Sequence, residues 1–301
     1  MKLKLTVAGL AVVLSALILT SGVVFGSNDY FLKPDPVVNF PDKNLEKVVR
    51  QHIRKQEGAI HASDLQHMEF LLSQDTGIED LTGLEYCTGL IFVGMQLEKI
   101  TDFTPLCQIE SLESISLGFN EISEIPSLDG LPNLSYLFLS YNQIDDLSPL
   151  TGMTRLKELK ISGNPVCDLS PLSGCTGLTL LCCDNTTISD LSPLAGLTKL
   201  NLLMLGDNNI TDISPLAGLG VMQSLDLSNN RLTDISPLSA IPGFGLLDIN
   251  GNSITDLTPL AENILDYYPG GVKYRVTDNP LDSVSLEKVV PAWMEKGIQV
   301  Y

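Results

Sequence analysis

The sequence has little positive charge. Lysine and arginine together number 18, against 36 aspartate and glutamate residues, and the formal net charge is −18. A chain this acidic is repelled by phosphate backbones and by anionic lipid headgroups. We therefore expect no nucleic-acid partner, and no membrane contact other than through an N-terminal anchor.

Residues that carry catalysis or bind metals are also scarce. The three histidines, His52, His61 and His67, lie close together near the N-terminus. A histidine without a cluster of further ligands is usually a surface or capping residue. The sequence has no phosphate-binding loop, no nucleophile elbow and no carboxylate pair outside a repeated motif. We predict that the chain is not an enzyme and has no catalytic residue, cofactor or metal site.

What the sequence does contain is a repeat of 22 residues. The stretch LNLLMLGDNNITDISPL at Leu200 returns as LSYLFLSYNQIDDLSPL at Leu134 and as LKELKISGNPVCDLSPL at Leu156. The frame holds through nine coils, from Met68 to Leu260. A fixed period of this length with an L-x-x-L-x-L-x-x-N core is typical of leucine-rich repeats.

Each column of the repeat has a physical role. Leu137 and Leu139 alternate with outward residues, as in a strand with one buried face. An asparagine column follows the strand and is expected to bond backbone groups of neighbouring coils, more weakly where Thr76, Glu98 and Thr186 replace asparagine. The asparagines are Asn120, Asn142, Asn164, Asn208, Asn230 and Asn252.

Ser-Pro-Leu or Thr-Pro-Leu closes most coils. Serine or threonine is expected to cap a short 3-10 turn on the convex side, with proline at its first position. One acid per coil precedes this motif, and two interpretations are open: a cation-binding stripe, or acceptors for backbone N–H groups at a turn. We favour the second. The acids are Asp80, Asp102, Glu124, Asp146, Asp168, Asp190, Asp212, Asp234 and Asp256.

The ends of the array are predicted to be capped, because a stack of coils otherwise exposes its first and last core layers. An amphipathic helix within Phe40–Glu57, capped by Asp42 or Asn44, makes residues 40–64 the N-terminal cap. Residues 65–262 are the repeats. Residues 263–301 are the C-terminal cap, with Asn279 in the asparagine column after a five-residue insertion. A helix is predicted over Ser283–Glu295, kinked or bounded at Pro291.

The N-terminus reads as a targeting segment. Met1–Gly26 has two lysines followed by an apolar run, which is typical of a signal peptide cleaved before Ser27. The alternative is an uncleaved N-terminal anchor. Residues 27–39, with two prolines, are predicted to form a linker. Both alternatives place the repeats outside the cytoplasm, so we expect a secreted or cell-surface protein.

Six cysteines are present, and an even number in an exported protein can indicate disulfide bonds. The columns favour free thiols instead. Cys87, Cys175 and Cys183 occupy apolar core columns, where cysteine acts as a small hydrophobe. Cys182 points outward, and no two cysteines are 22 residues apart. Only Cys167 and Cys175 remain as a candidate pair.

The motif I/L-x-D-I/L-S-P-L, the stretch FPDKNLEKVVRQHI at Phe40 and the stretch NPLDSVSLEKVVPAWMEKGIQV near the C-terminus together carry a resemblance. The chain resembles exported bacterial leucine-rich repeat proteins of the internalin-like type from Phe40 to Tyr301. The resemblance implies an α/β fold: a leucine-rich repeat solenoid with a concave parallel sheet, short 3-10 turns on the convex side, and helical caps at both ends.

The concave face is where these arrays usually bind. Its outward columns carry aromatic and apolar residues that the repeat does not need for its own packing. We predict a monomeric, non-enzymatic module that binds a protein partner there. The alternative is a structural cell-envelope component that binds wall polymer and is tethered by an uncleaved N-terminus. The candidate contact residues are Phe70, Leu72, Phe92, Leu97, Phe119, Tyr136, Phe138, Tyr141, Leu180, Leu202 and Met204.

Overall fold

The structure is a computed structural model that describes residues 35–263 and 271–301. Pro36–Tyr301 form one compact unit. The predicted signal peptide and most of the predicted linker and C-terminal insertion lie outside the described residues. Within the described part of the chain, none of the helices has the length and apolar character needed to cross a membrane.

One 11-stranded parallel sheet organises the fold. Its strands follow one another in chain order, so each coil adds one strand beside the last. The strands pair in the register that the 22-residue frame predicts, so residues 22 apart lie side by side: Phe70 pairs with Phe92, and Tyr136 pairs with Glu158. The strands are β3 (Phe70–Gln74), β4 (Phe92–Gln96), β5 (Ser114–Ser116), β6 (Tyr136–Phe138), β7 (Glu158–Lys160), β8 (Leu180–Cys182), β9 (Leu202–Met204), β10 (Ser224–Asp226), β11 (Leu246–Asp248), β12 (Lys273–Arg275) and β13 (Gln299–Val300).

The asparagine column forms a ladder of hydrogen bonds between coils. The Asn142 side-chain amide donates to the carbonyls of Leu117 (2.9 Å) and Leu139 (3.0 Å), and its oxygen accepts the N–H of Ile122 (3.0 Å). The same pattern recurs at the other asparagines. It extends to Asn279, as predicted, although the coil is five residues longer. Backbone groups buried between the coils are satisfied in this way.

The prediction of weaker bonding at the interruptions is right for Thr186 and wrong for Glu98. The Thr186 hydroxyl reaches only the Cys183 carbonyl (3.1 Å) and the Asn208 side chain (2.6 Å). One oxygen of Glu98 accepts three backbone N–H groups, those of residues 76–78, at 2.7–3.0 Å. A carboxylate has more acceptor sites than an amide, so it closes the first coil more completely.

The convex side carries 3-10 turns, as predicted, but serine is not their cap. Ser170 is the first residue of its turn, and Asp168 accepts both its N–H (2.7 Å) and its hydroxyl (2.7 Å). These two hydrogen bonds lower the pKa of Asp168. The eight aspartates of the acidic column all accept a backbone N–H two residues further on, and Glu124, whose coil has no 3-10 turn, is the exception. The turns are Leu84–Tyr86, Thr104–Gln108, Ser148–Leu150, Ser170–Gly174, Ser192–Leu194, Ser214–Gly218, Ser236–Ala240 and Thr258–Leu260.

We expect Asp168→Ala to lower the melting temperature and Asp168→Asn to have a much smaller effect, because an amide oxygen still accepts the Ser170 N–H. Thermal denaturation of both variants with and without millimolar calcium measures this. Because the folded pKa is lowered, the stabilising contribution is full above the unfolded pKa of about 4 and is lost as pH falls through the lower folded value. A calcium-dependent rise of several degrees in the wild type would instead support the cation stripe.

Two helical caps close the ends of the stack. Helix α1 (Lys43–Ile53) is capped by Asp42, which accepts the N–H groups of Asn44 and Leu45. It is shorter than the predicted segment because Arg54 adopts a left-handed conformation. Short elements lie on both sides of α1. Strand β1 (Val37–Val38) precedes it and pairs antiparallel with β2 (Ile60–His61), which follows it and leads into α2 (Ala62–Leu65). Part of the predicted linker is thus a strand.

At the C-terminal end, a π-helical turn (Ser285–Val289) leads into α3 (Val290–Glu295). Pro291 lies in the first turn of α3 and marks the predicted boundary. Trp293 is fully buried edge-on against Tyr274, with ring centroids 5.1 Å apart. Val284, at the start of the predicted helix, is exposed.

Candidate functional site

Four outward columns make up the concave face. Two come from alternate strand residues, such as Phe70 and Leu72, and two from positions at or just beyond the end of the strand, such as Gln74 and Asp75. The in-frame pairing of the strands stacks each column coil upon coil. Leu72 is 59% exposed, although it is apolar. The predicted contact residues Phe70, Leu72, Phe92, Tyr136, Phe138, Leu180, Leu202 and Met204 lie in the strand columns.

The remaining three predicted contact residues lie at strained backbone positions. Leu97, Phe119 and Tyr141 have φ of 57°, 58° and 57°, and each is 46–47% exposed. This left-handed region disfavours residues other than glycine, asparagine and aspartate by about 1–2 kcal/mol. The other coils carry Asp75, Gly163, Asn185, Asp207, Asn229 and Gly251 at the same position, also with positive φ. Three consecutive coils thus place large apolar side chains where the repeat favours small polar ones.

These side chains form an ordered apolar surface. The rings of Phe119 and Tyr141 stack at 4.4 Å with an interplanar angle of 13°. The Tyr141 ring lies over Gly163, where a Cβ would approach its Cδ1 atom to 2.6 Å. Glycine at 163 therefore leaves room for the Tyr141 ring, which packs between Phe119 and the backbone of residue 163.

A depression lies beside the stack. Leu72 and Phe92 lean over Gly94, where a Cβ would come within 2.7 Å of Leu72 and 3.0 Å of Phe92. The space is about 380 Å³ and is completed by residues that include Gln96 and Ser116. The Gln96 amide donates to the Ser116 hydroxyl at 3.0 Å. A hollow with apolar walls and polar side chains in its lining can hold an apolar side chain and also hydrogen-bond its backbone.

Charged groups border the apolar surface. The ammonium of Lys160 lies 4.6 Å from the centroid of Phe138, and that of Lys157 lies 5.9 Å from the centroid of Tyr136. At the other edge, His52 of α1 packs edge-on against Phe70 at 5.1 Å. His52 therefore joins the N-terminal cap to the face. Within residues 35–263 and 271–301 there is no group of three or more histidine, cysteine, aspartate or glutamate side chains placed to hold a metal ion.

The second half of the face is acidic, a feature that the sequence-based prediction missed. Asp184, Asp207, Asp226 and Asp248 lie on it beside the predicted Leu180, Leu202 and Met204. Burial, together with the charges of Asp248 and Asp184, raises the pKa of Asp226. Isolated surface acids look like solubility features in a sequence. Their proximity becomes apparent only once the pairing register of the strands is known, because the register places them in neighbouring columns of the same face.

The cysteines offer no reactive centre on this face. All six are free thiols, and Cys167 and Cys175 do not pair. Cys182, which is half-buried on β8, has its pKa raised to about 11 by burial. Burial also raises the pKa of Cys183 well above its usual value. Neither thiol is ionised at neutral pH, so neither acts as a nucleophile.

Comparison with known proteins agrees with this architecture. A family profile described as leucine-rich repeats (two copies) matches residues 110–152, 132–174, 176–218 and 222–262. The structure is similar to that of an internalin (inlF) from Listeria monocytogenes, with 24% identity, 90% of this chain and 94% of that chain covered, and a TM-score of 0.61. Internalin C2 from the same organism is also similar, with 27% identity, 85% of this chain and 100% of that chain covered, and a TM-score of 0.60.

A plant peptide hormone receptor, RGFR1, solved in complex with RGF2, is also similar. It has 22% identity, 66% of this chain and 34% of that chain covered, and a TM-score of 0.56. A search of curated proteins finds none that is similar in sequence. The repeat frame, the sheet register and these comparisons agree: the chain belongs to the leucine-rich repeat proteins, and its fold is internalin-like.

Proposed function

We propose that the chain is an exported, non-enzymatic module that binds a protein partner on its concave face. The observation that carries this proposal is the placement of Leu97, Phe119 and Tyr141 at left-handed backbone positions. Strain of this kind persists where the side chain serves a purpose other than folding. Half-burial of each side chain gains about 1 kcal/mol, which does no more than offset the strain, so folding gains no net stability from these residues.

The chemistry of the surface supports the same proposal. Aromatic residues dominate the energy of protein interfaces, and a stack that is already ordered loses little entropy on binding. Leucine-rich repeat folds commonly mediate protein binding. Export and a location at the cell surface are supported by the likeness to internalins and by the sequence of Met1–Gly26.

We expect a variant with Phe92, Tyr136, Phe138 and Tyr141 changed to serine to fold and to lose the protein partner that the wild type retains. The wild type and the variant, each immobilised, are compared by affinity capture, after circular dichroism has confirmed folding. Val221→Ser is the control, because Val221 is 51% exposed and lies off the concave face. This control is expected to retain the partner.

Equal recovery of the partner by the quadruple variant would contradict the proposal. It would favour the alternative, a structural cell-envelope component that binds wall polymer. Binding of purified wall material that is unaffected by the four substitutions would point the same way.

A further inference from the structure

The concave face changes character along its length. From β3 to β6 its four outward columns contain eight large apolar residues, and Asp75 is their one charged residue. From β8 to β11 the same columns contain four acids, Asp184, Asp207, Asp226 and Asp248, and no lysine, arginine or histidine. We call these the apolar half and the acidic half. The acids of the second half share its columns with four apolar residues, and Lys160 on β7 and Lys273 and Arg275 on β12 border it. The apolar residues are Leu180, Leu202, Met204 and Leu246.

The carboxylates of the acidic half are held in place. Asp184 accepts the Gly206 N–H (3.0 Å) and the Ser162 hydroxyl (2.9 Å), and Asp226 accepts the Ser228 N–H (2.8 Å). Gly206 has no side chain to separate the two acids. A point at its Cβ position would lie 2.9 Å from the hydroxyl oxygen of Ser228, 3.3 Å from an oxygen of Asp226 and 3.5 Å from an oxygen of Asp184. The two carboxylates therefore flank the Gly206 position together with the Ser228 hydroxyl.

Their charge is largely unbalanced. Asp248 has an ion pair with Arg275 at 3.1 Å, but among the described residues Asp184, Asp207 and Asp226 have none. The raised pKa of Asp226 reflects this environment, since burial and the neighbouring carboxylates all oppose its ionisation. A cation brought by a partner would relieve the repulsion. Charge-assisted hydrogen bonds to fixed carboxylates are the strong kind.

On the basis of the proposed function, we propose that the partner is a protein with a two-part surface. An apolar side chain of the partner enters the depression over Gly94, and lysine or arginine side chains of the same partner pair with Asp184 and Asp226. The two contacts are four to six strands apart, or about 20–30 Å at about 4.8 Å per strand. About six to nine extended residues span that distance.

Charge complementarity argues for this occupant over a neutral or acidic one. An acidic or neutral surface over Asp184, Asp207 and Asp226 would bury carboxylates without a counter-ion, which is unfavourable. A basic surface is attracted instead, and the net charge of −18 also speeds its approach. A purely basic partner would leave the apolar half unused.

The test uses a displayed library of random 15-residue peptides as the probe. We expect the wild type to enrich peptides in which an aromatic or branched apolar residue is separated from lysine or arginine by about six to nine residues. Asp184→Asn/Asp226→Asn is expected to lower their recovery by at least about tenfold. The control, Asp190→Asn/Asp234→Asn, makes the same charge change in the same coils but at the convex turns. It should recover these peptides as the wild type does.

Enrichment of apolar peptides without basic residues would overturn this inference and leave the proposed function standing. Equal loss of basic peptides in the two double variants would also overturn it, because net charge alone would then explain the selection. If the quadruple serine variant recovers the same peptides as the wild type, the proposed function itself fails. If no peptide is enriched on the wild type, both fail.

Discussion

Asn208→Ala is expected to lower the free energy of unfolding by about 1–3 kcal/mol. The Asn208 amide donates to the carbonyls of Cys183 (2.8 Å) and Leu205 (3.1 Å), and its oxygen accepts the N–H of Ile188 (3.1 Å). Alanine leaves the buried Ile188 N–H without its partner and removes one donor from each carbonyl. The Cys183 carbonyl keeps the Thr186 hydroxyl, and the Leu205 carbonyl keeps the Asn230 amide. Urea denaturation of the wild type and the variant measures the difference.

Thr186 provides the matched comparison in the neighbouring coil. Its hydroxyl makes fewer bonds, so Thr186→Ala is expected to cost about 1 kcal/mol. Thr186→Asn is expected to stabilise the protein, because it restores the amide that the other coils have. Equal losses for Asn208→Ala and Thr186→Ala, or destabilisation by Thr186→Asn, would show that the ladder does not hold the coils together.

Trp293→Ala is expected to cost about 3–5 kcal/mol and to open the C-terminal coils first. The indole is fully buried against Tyr274, whose hydroxyl donates to the Asn263 carbonyl at 2.6 Å. Without the indole, the last layer of the hydrophobic core is exposed to water. Hydrogen exchange should become faster in β12 and β13 before it does so in β6. Met294→Ala, at an exposed neighbouring position, is the control and should change stability by less than about 0.5 kcal/mol.

If Trp293→Ala lost protection against hydrogen exchange equally in all coils, this account would be contradicted, because the array would then unfold as one cooperative unit. A stability equal to that of Met294→Ala would show that the C-terminal helix does not cap the core.

The repeat frame made the fold predictable from the sequence. Each inward column recurs in successive coils, so the same packing solution is repeated, and one coil predicts the next. The frame predicted which residues pair in the strands, and it placed Asn279 in the ladder after an irregular coil. The caps were predicted from amphipathic patterns, and Asp42 and Pro291 act as that pattern indicated.

Features that depend on atomic positions were not predictable in the same way. The turn acceptor is Asp168 rather than Ser170, because serine lies one residue too far into the turn to cap it. Glu98 satisfies more groups than expected because its longer side chain reaches three N–H groups of residues 76–78. A column of the repeat shows that a position has a fixed role, but it does not show which atoms form the hydrogen bonds there.

The candidate site was predictable in part. The outward columns identified Phe138 and Tyr141 as surface residues without a packing role. The strain at Phe119 and Tyr141 was not recognised, although Asn185 and Asp207 in the same column carry the signal. The acidic half was missed because Asp184 and Asp226 lie 42 residues apart in sequence and meet only through the register of β8 to β10.

The most direct test of the central claim is to change Leu97, Phe119 and Tyr141 together to asparagine, and to measure both stability and partner capture. Relief of the left-handed strain, about 1 kcal/mol per residue, should offset the lost half-burial, so stability should stay within about 1 kcal/mol of the wild type. Capture should be lost. A variant that loses several kcal/mol of stability, or one that still captures the partner, would show that these side chains serve the fold and not binding.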